Sequence, residues 1–138
     1  MQFAQAYIKE LGTQATWGRE LERVGRRDMP GAFLGVFQSN QTPPALVGTC
    51  YIQNTKSLPS TGEHWIAVGR DRRGTLAFDS FGRNEQLLRT RNMRGLGVRT
   101  AWSDPDVEQH LKSEVCGPLC LAFCRVFLEH GRAAAQKI

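Results

Sequence analysis

The chain has 138 residues, 41% of them apolar and 22% charged, with 18 Lys and Arg against 13 Asp and Glu for a net charge of +5. That length suits a single domain spanning 1–138, and the composition is that of a globular protein rather than a disordered one. No apolar stretch approaches the roughly 18 residues that suggest a membrane span, and the amphipathic start, MQFAQAYIKELG, lacks the basic head and unbroken apolar run of a secretory signal.

Apolar positions at Phe3, Tyr7, Ile8 and Leu11 predict a short helix over 2–11, closed by Gly12. Residues 13–31 are mixed and basic and end on the turn signal Pro30–Gly31. AFLGVF (32–37) reads as a strand, QSNQTPP as a polar turn and ALVGTCYIQN (45–54) as a second strand; Pro59 and Gly62 mark 55–62 as a loop.

HWIAVGR (64–70) and TLAFDSF (75–81) flank Asp71–Arg72–Arg73–Gly74, the pattern of a β-hairpin. With a two- or four-residue loop, His64 faces Phe81 and Ile66 faces Asp79. His64 and Asp79 then share one face as diagonal neighbours, about 7–8 Å apart by backbone, whereas a three-residue loop would set them on opposite faces. Further on, NEQLLRTRNM (84–93) favours a helix, Gly95 and Gly97 break it, and VRTAW (98–102) reads as a short strand. Asp104–Pro105 opens a loop that contains Gln109. From Pro118 to His130 runs the most apolar helix of the chain, with Gly131 as its cap and AAAQKI as a frayed tail.

Cys116 stands at the mouth of that helix. A helix N-terminus carries unpaired N–H groups and partial positive charge, which favour thiolate over thiol and can receive an oxyanion. In this reading Cys116 is the nucleophile, His64 takes and returns its proton, and Asp79 fixes the imidazole tautomer. Gln109 adds an amide N–H for the oxyanion beside the backbone N–H of Cys116. Taken singly, each residue has an ordinary explanation: a small core thiol, a packed histidine, a turn-forming aspartate, a surface glutamine. The order His-Trp, then Asp on a hairpin, then Gln–x6–Cys–Gly is far more restrictive than its parts.

The remaining cysteines, Cys50, Cys120 and Cys124, read as core residues. Three of the four cysteines recur every fourth residue on one helix, a spacing poor for disulfides, so reduced thiols in an intracellular setting are expected. A zinc cluster completed by His110 lacks the second C-x2–4-C pair such sites use, and no metal is expected. Arginines cluster at 19–27, 70–73 and 89–99, a pattern that attracts polyanions or simply keeps the protein soluble.

The stretches QAYIKELG, MPGAF, TCYIQNT, GEHWIAV, LAFDSFG and CGPLCLAFC make the chain resemble the adenain-like (adenovirus-type) cysteine endopeptidases, within the wider group of ubiquitin-like-protein proteases. The resemblance extends over most of the length. It implies an α+β, papain-like fold in which a central mixed sheet is flanked by helices and the nucleophile starts a buried helix. It implies cleavage after glycine at Gly-Gly-X or Gly-X-Gly-X sites during virion maturation, in the host nucleus and the virion. Trp65 matches the tryptophan that walls a slot for a Gly-Gly stem, and Gly117 falls in the substrate-binding part. The chemistry would need no cofactor, the chain would act as a monomer away from membranes, and relatives are stimulated by a viral peptide and by DNA.

Three departures stand out. Asp79 replaces the glutamate common in adenoviral members and takes the form seen in ubiquitin-like proteases. The chain ends soon after Cys116, short of the C-terminal portion of those enzymes. Residues 83–108 hold no cysteine for a disulfide-linked activating peptide, which leaves non-covalent peptide or DNA stimulation through the arginines. Two alternatives use the same residues differently: removal of ubiquitin or a ubiquitin-like modifier, and a catalytically silent, basic DNA-binding protein on a protease fold.

Overall fold

The structure is a computed structural model that describes residues 2–13, 16–41, 43, 46–54, 64–79, 100–102 and 115–137. It is a mixed α+β fold. Helices α1 (Gln2–Leu11) and α2 (Gly18–Asp28) precede strands β1 (Phe33–Phe37), β2 (Thr49–Asn54), β3 (Trp65–Asp71), β4 (Gly74–Phe78) and β5 (Ala101–Trp102). Helices α3 (Cys116–His130) and α4 (Arg132–Ala135) follow. The five strands form one sheet in the order β1-β2-β3-β4-β5, with parallel pairs at both edges and antiparallel pairs in the centre.

The hairpin closes through the two residues Arg72 and Arg73, with Asp71 opposite Gly74 and Ala67 opposite Phe78. Gly74 has φ +119°, a conformation that side chains disfavour, and so permits the tight turn. Alternation along the strands sorts the side chains. Trp65, Ala67, Leu76 and Phe78 join the main core beneath α3, while Tyr51, Ile66, Val68 and Ala77 form a smaller cluster on the other face.

Helix α3 is buried at every residue from Cys116 to Cys124. Its Phe123 stacks on Phe78 with ring centroids 5.2 Å apart, and Phe127 lies over Gly69, where an added Cβ would come within 2.7 Å of the ring. Among the described residues, no helix is long and apolar enough to cross a membrane.

Several boundaries differ from expectation. The helix after Trp17 was not legible as one, because its buried residues, Leu21, Val24 and Gly25, are outnumbered by charges. Strand β2 starts at Thr49 rather than at residue 45; Gly48, at φ +83°, turns the chain just before it. Helix α3 begins two residues before Pro118, since a proline in the first turn lacks only an N–H that would have no helical partner. Part of the tail expected to fray is the short helix α4, held by Arg132, whose guanidinium meets Asp71 at 2.8 Å and the carbonyl of Gly74 at 2.9 Å. The expected helix at 84–93 and the loop carrying Gln109 lie outside the described residues.

Candidate active site

His64 immediately precedes β3 and Asp79 immediately follows β4, so both sit at the open end of the hairpin. The observed register, continued by one pair, sets Asp79 opposite Ile66, two residues from His64. Side-chain reach does the rest: Nε2 of His64 meets Oδ1 of Asp79. The pair is buried, with His64 8% exposed and Asp79 4%. A carboxylate held against one ring nitrogen fixes the ring plane and favours the tautomer with its proton on that side, leaving Nδ1 as the acceptor.

Cys116 reaches the same place from the other side of the core. It is the first residue of α3, and its sulfur receives backbone N–H groups from Trp65, from Gly117 and from Cys116 itself. The Trp65 nitrogen belongs to the peptide that joins it to His64, so the thiol lies against the segment that carries the imidazole. Burial pushes the Cys116 thiol up; the three N–H groups pull it down, and the Asp79 charge pushes it up again. The first of these dominates. The expectation that the helix terminus would favour thiolate is therefore corrected for the resting site: Cys116 is only 6% exposed, and its thiol loses more from dehydration than the N–H groups return.

The other cysteines continue inward. Cys120 is fully buried, and its thiol is raised by burial and by the proximity of Cys116, Asp79 and Cys50. Cys124 contacts Cys50 and points its sulfur at the Tyr51 carbonyl, 3.9 Å away. All four thiols are free.

Trp65 links the thiol to a cavity. Its indole Nε1 donates to the Thr16 carbonyl at 3.3 Å, and its ring lies against Gly18, where a Cβ would sit 3.3 Å away. The cavity beside it encloses about 670 Å³ between the start of α2, the end of β1 and the residues after it, with Trp17, Glu22, Val36, Gln38 and Asn54 among its walls. Gly117 meets α2 here too: an added Cβ would come within 2.9 Å of Leu21 and 3.3 Å of Thr16. The glycine thus lets α2 close on the start of α3, and its N–H reaches the sulfur.

The α2 wall is what sequence reasoning missed. Trp17, Leu21 and Val24 recur at helical spacing, but the seven charged residues of GRELERVGRRD obscure the period. Gln109 lies outside the described residues.

Most of the described arginines in the basic clusters are already engaged. Arg27 holds Glu10 at 2.7 Å and Asp28 at 2.8 Å, Arg23 lies 3.8 Å from Glu10, and Arg26 lies 3.8 Å from Glu22. Arg70 is buried, with its guanidinium 5.3 Å from the centre of the Tyr51 ring. The field of the 19–27 cluster is correspondingly weaker than its arginine count suggests. No family profile matches the chain, and no curated protein matches it in sequence.

Proposed function

We propose that this protein is a cysteine endopeptidase of the adenain type, with a papain-like arrangement of a thiol-bearing helix against a histidine- and aspartate-bearing sheet. One observation carries the reading. The Cys116 sulfur accepts the N–H of Trp65, the residue joined to His64, while His64 is itself bound to Asp79. In this reading the three residues, brought from separate parts of the chain towards the open end of the hairpin, serve as nucleophile, base and orienting carboxylate.

In this mechanism the Cys116 proton passes to Nδ1 of His64 as the sulfur attacks the scissile carbonyl. Asp79 steadies the imidazolium that forms. The oxyanion is received by the backbone N–H at the start of α3 and by the Gln109 amide. His64 then protonates the leaving amine, and water, deprotonated by the same imidazole, releases the acyl group from sulfur. Because burial holds the resting thiol in its neutral form, proton transfer accompanies attack rather than preceding it.

The substrates in this reading are viral precursor polypeptides with glycine at the cut, and Trp65 takes the role the resemblance implies, walling a slot for the Gly-Gly stem. Virion maturation in the nucleus, stimulation by a peptide or by DNA, and a monomeric enzyme belong to the same proposal. The test is a Gly-Gly peptide carrying an electrophile in place of the scissile bond, with the modified residue read by mass spectrometry. Labelling at Cys116, lost in His64→Ala, is the expected result. Labelling at Cys120, or none with active-site access established by a small alkylating agent, would defeat the proposal.

A further inference from the structure

The cavity beside Trp65 contains two charged side chains in opposite electrostatic situations. Glu22 is occupied. Its Oε1 accepts the Val36 N–H at 3.0 Å and lies 3.8 Å from Arg26, so its charge is shared with the edge of β1 and with a cation. Arg19 lines the same cavity and, among the described residues, meets no carboxylate.

Its position also works against local stability. Arg19 is the second residue of α2, where the helix dipole disfavours positive charge. Glu20 follows by one residue and so points about 100° further round the helix. Arg19 is exposed on the cavity wall, so its charge is open to something that enters there.

The rest of the cavity is suited to a polypeptide. Trp17, Trp65 and Val36 offer apolar walls, and residues 38–41 are held in place from behind. There the buried Gln53 amide donates to the carbonyls of Gln38 and Gln41 at 2.9 and 3.0 Å. A volume of about 670 Å³ falls within the range of pre-formed ligand sites.

We propose that this cavity holds the segment of the substrate before the scissile bond, and that Arg19 selects an acidic side chain there. The inference rests on the endopeptidase reading, which assigns the thiol on the near side of Trp65. It adds a charge preference that the glycine at the cut does not supply.

The test separates recognition from chemistry by using Cys116→Ala protein and fluorescence anisotropy. Labelled peptides ending in Gly-Gly carry Glu, Gln or Lys at each upstream position in turn. At one position the Glu peptide should bind about three- to fivefold more tightly than the Gln peptide, the scale of a partly exposed ion pair, and added salt should reduce the difference. Arg19→Glu should reverse the order so that the Lys peptide binds best. That variant places an acid in the first turn of α2, where it suits the helix.

Equal binding of all three peptides, an unchanged order in Arg19→Glu, or no binding at all would overturn the proposal. Binding with the expected charge preference, but no cleavage by protein retaining Cys116, would leave the recognition site standing and remove the endopeptidase reading. Cleavage without charge preference would do the reverse.

Discussion

The His64 imidazole and the Asp79 carboxylate meet at the open end of one hairpin although 15 positions separate them in the chain. The contact follows from a two-residue turn. One residue more in the loop would have put the two side chains on opposite faces of the sheet. Because the pair is buried, the carboxylate decides which ring nitrogen carries the proton.

Asp79→Asn tests that role. An amide can accept from Nε2–H or donate to the bare nitrogen, so the useful tautomer loses its advantage. Peptide cleavage should fall by roughly two to four orders of magnitude while remaining measurable, because the sulfur and the helix-start N–H groups persist. Thermal unfolding of the variant, followed in parallel, separates this from loss of fold. A cleavage rate equal to that of the parent would remove Asp79 from the mechanism.

The resting state of Cys116 gives a prediction about pH. Its thiol is pushed up by burial, and the N–H groups of Trp65, Gly117 and Cys116 only partly offset this. Thiolate is the reactive form, so raising the pKa lowers the reactive fraction at neutral pH. Alkylation by iodoacetamide, measured at Cys116 by peptide mapping, should therefore climb steadily above pH 7 and reach its midpoint above about pH 8.5, the value of a free thiol. A rate already level by pH 6 would reveal a preformed thiolate–imidazolium pair and contradict a neutral resting thiol.

Much of this arrangement was legible because it depends on local pattern. The DRRG turn marks the hairpin, though it leaves open the loop length that decides the register, and an apolar run with Gly131 behind it marks α3. What could not be read depends on contacts distant in sequence. Nothing in GRELERVGRRD alone shows that Leu21 packs on Gly117, or that Glu22 reaches the Val36 N–H. The thiol shift was misjudged for the same reason: the helix start is visible in the sequence, but the core that dehydrates it is not.

The Arg132–Asp71 pair fastens α4 to the hairpin turn. Both oxygens of Asp71 are used, at 2.8 and 2.9 Å, and the Arg132 side chain is only 11% exposed. Hydrogen bonds from Arg132, more than any other influence, hold the Asp71 carboxyl below the usual carboxylate range. A depressed carboxylate stabilises the fold above its unfolded value, near 3.9, and that contribution is lost as the pH falls through the folded value. Arg132→Ala should thus cost about 1–2 kcal/mol at pH 7, and urea titrations should show the gap between parent and variant closing below about pH 4. A gap that persisted undiminished at pH 2 would mean that packing, not charge, holds α4.

Gly25 sets two familiar effects against each other. Alanine in the middle of a helix is favoured over glycine by about 1 kcal/mol, so Gly25→Ala in α2 would ordinarily stabilise. Here an added Cβ would lie 2.5, 2.6 and 2.7 Å from three atoms of the Phe33 ring, which is itself only 3% exposed. A ring edge packed on β1 cannot retreat as the tip of a flexible chain can, and overpacking of this sort costs about 1–3 kcal/mol. The clash should win, leaving Gly25→Ala less stable than the parent by about 1–2 kcal/mol in urea unfolding. Phe33→Leu removes the ring edge that the methyl would strike, so the double variant should lose less than the sum of the two single changes. Strict additivity between the two positions would show that α2 moves away from β1 instead, and the cavity that both elements enclose would change shape with it.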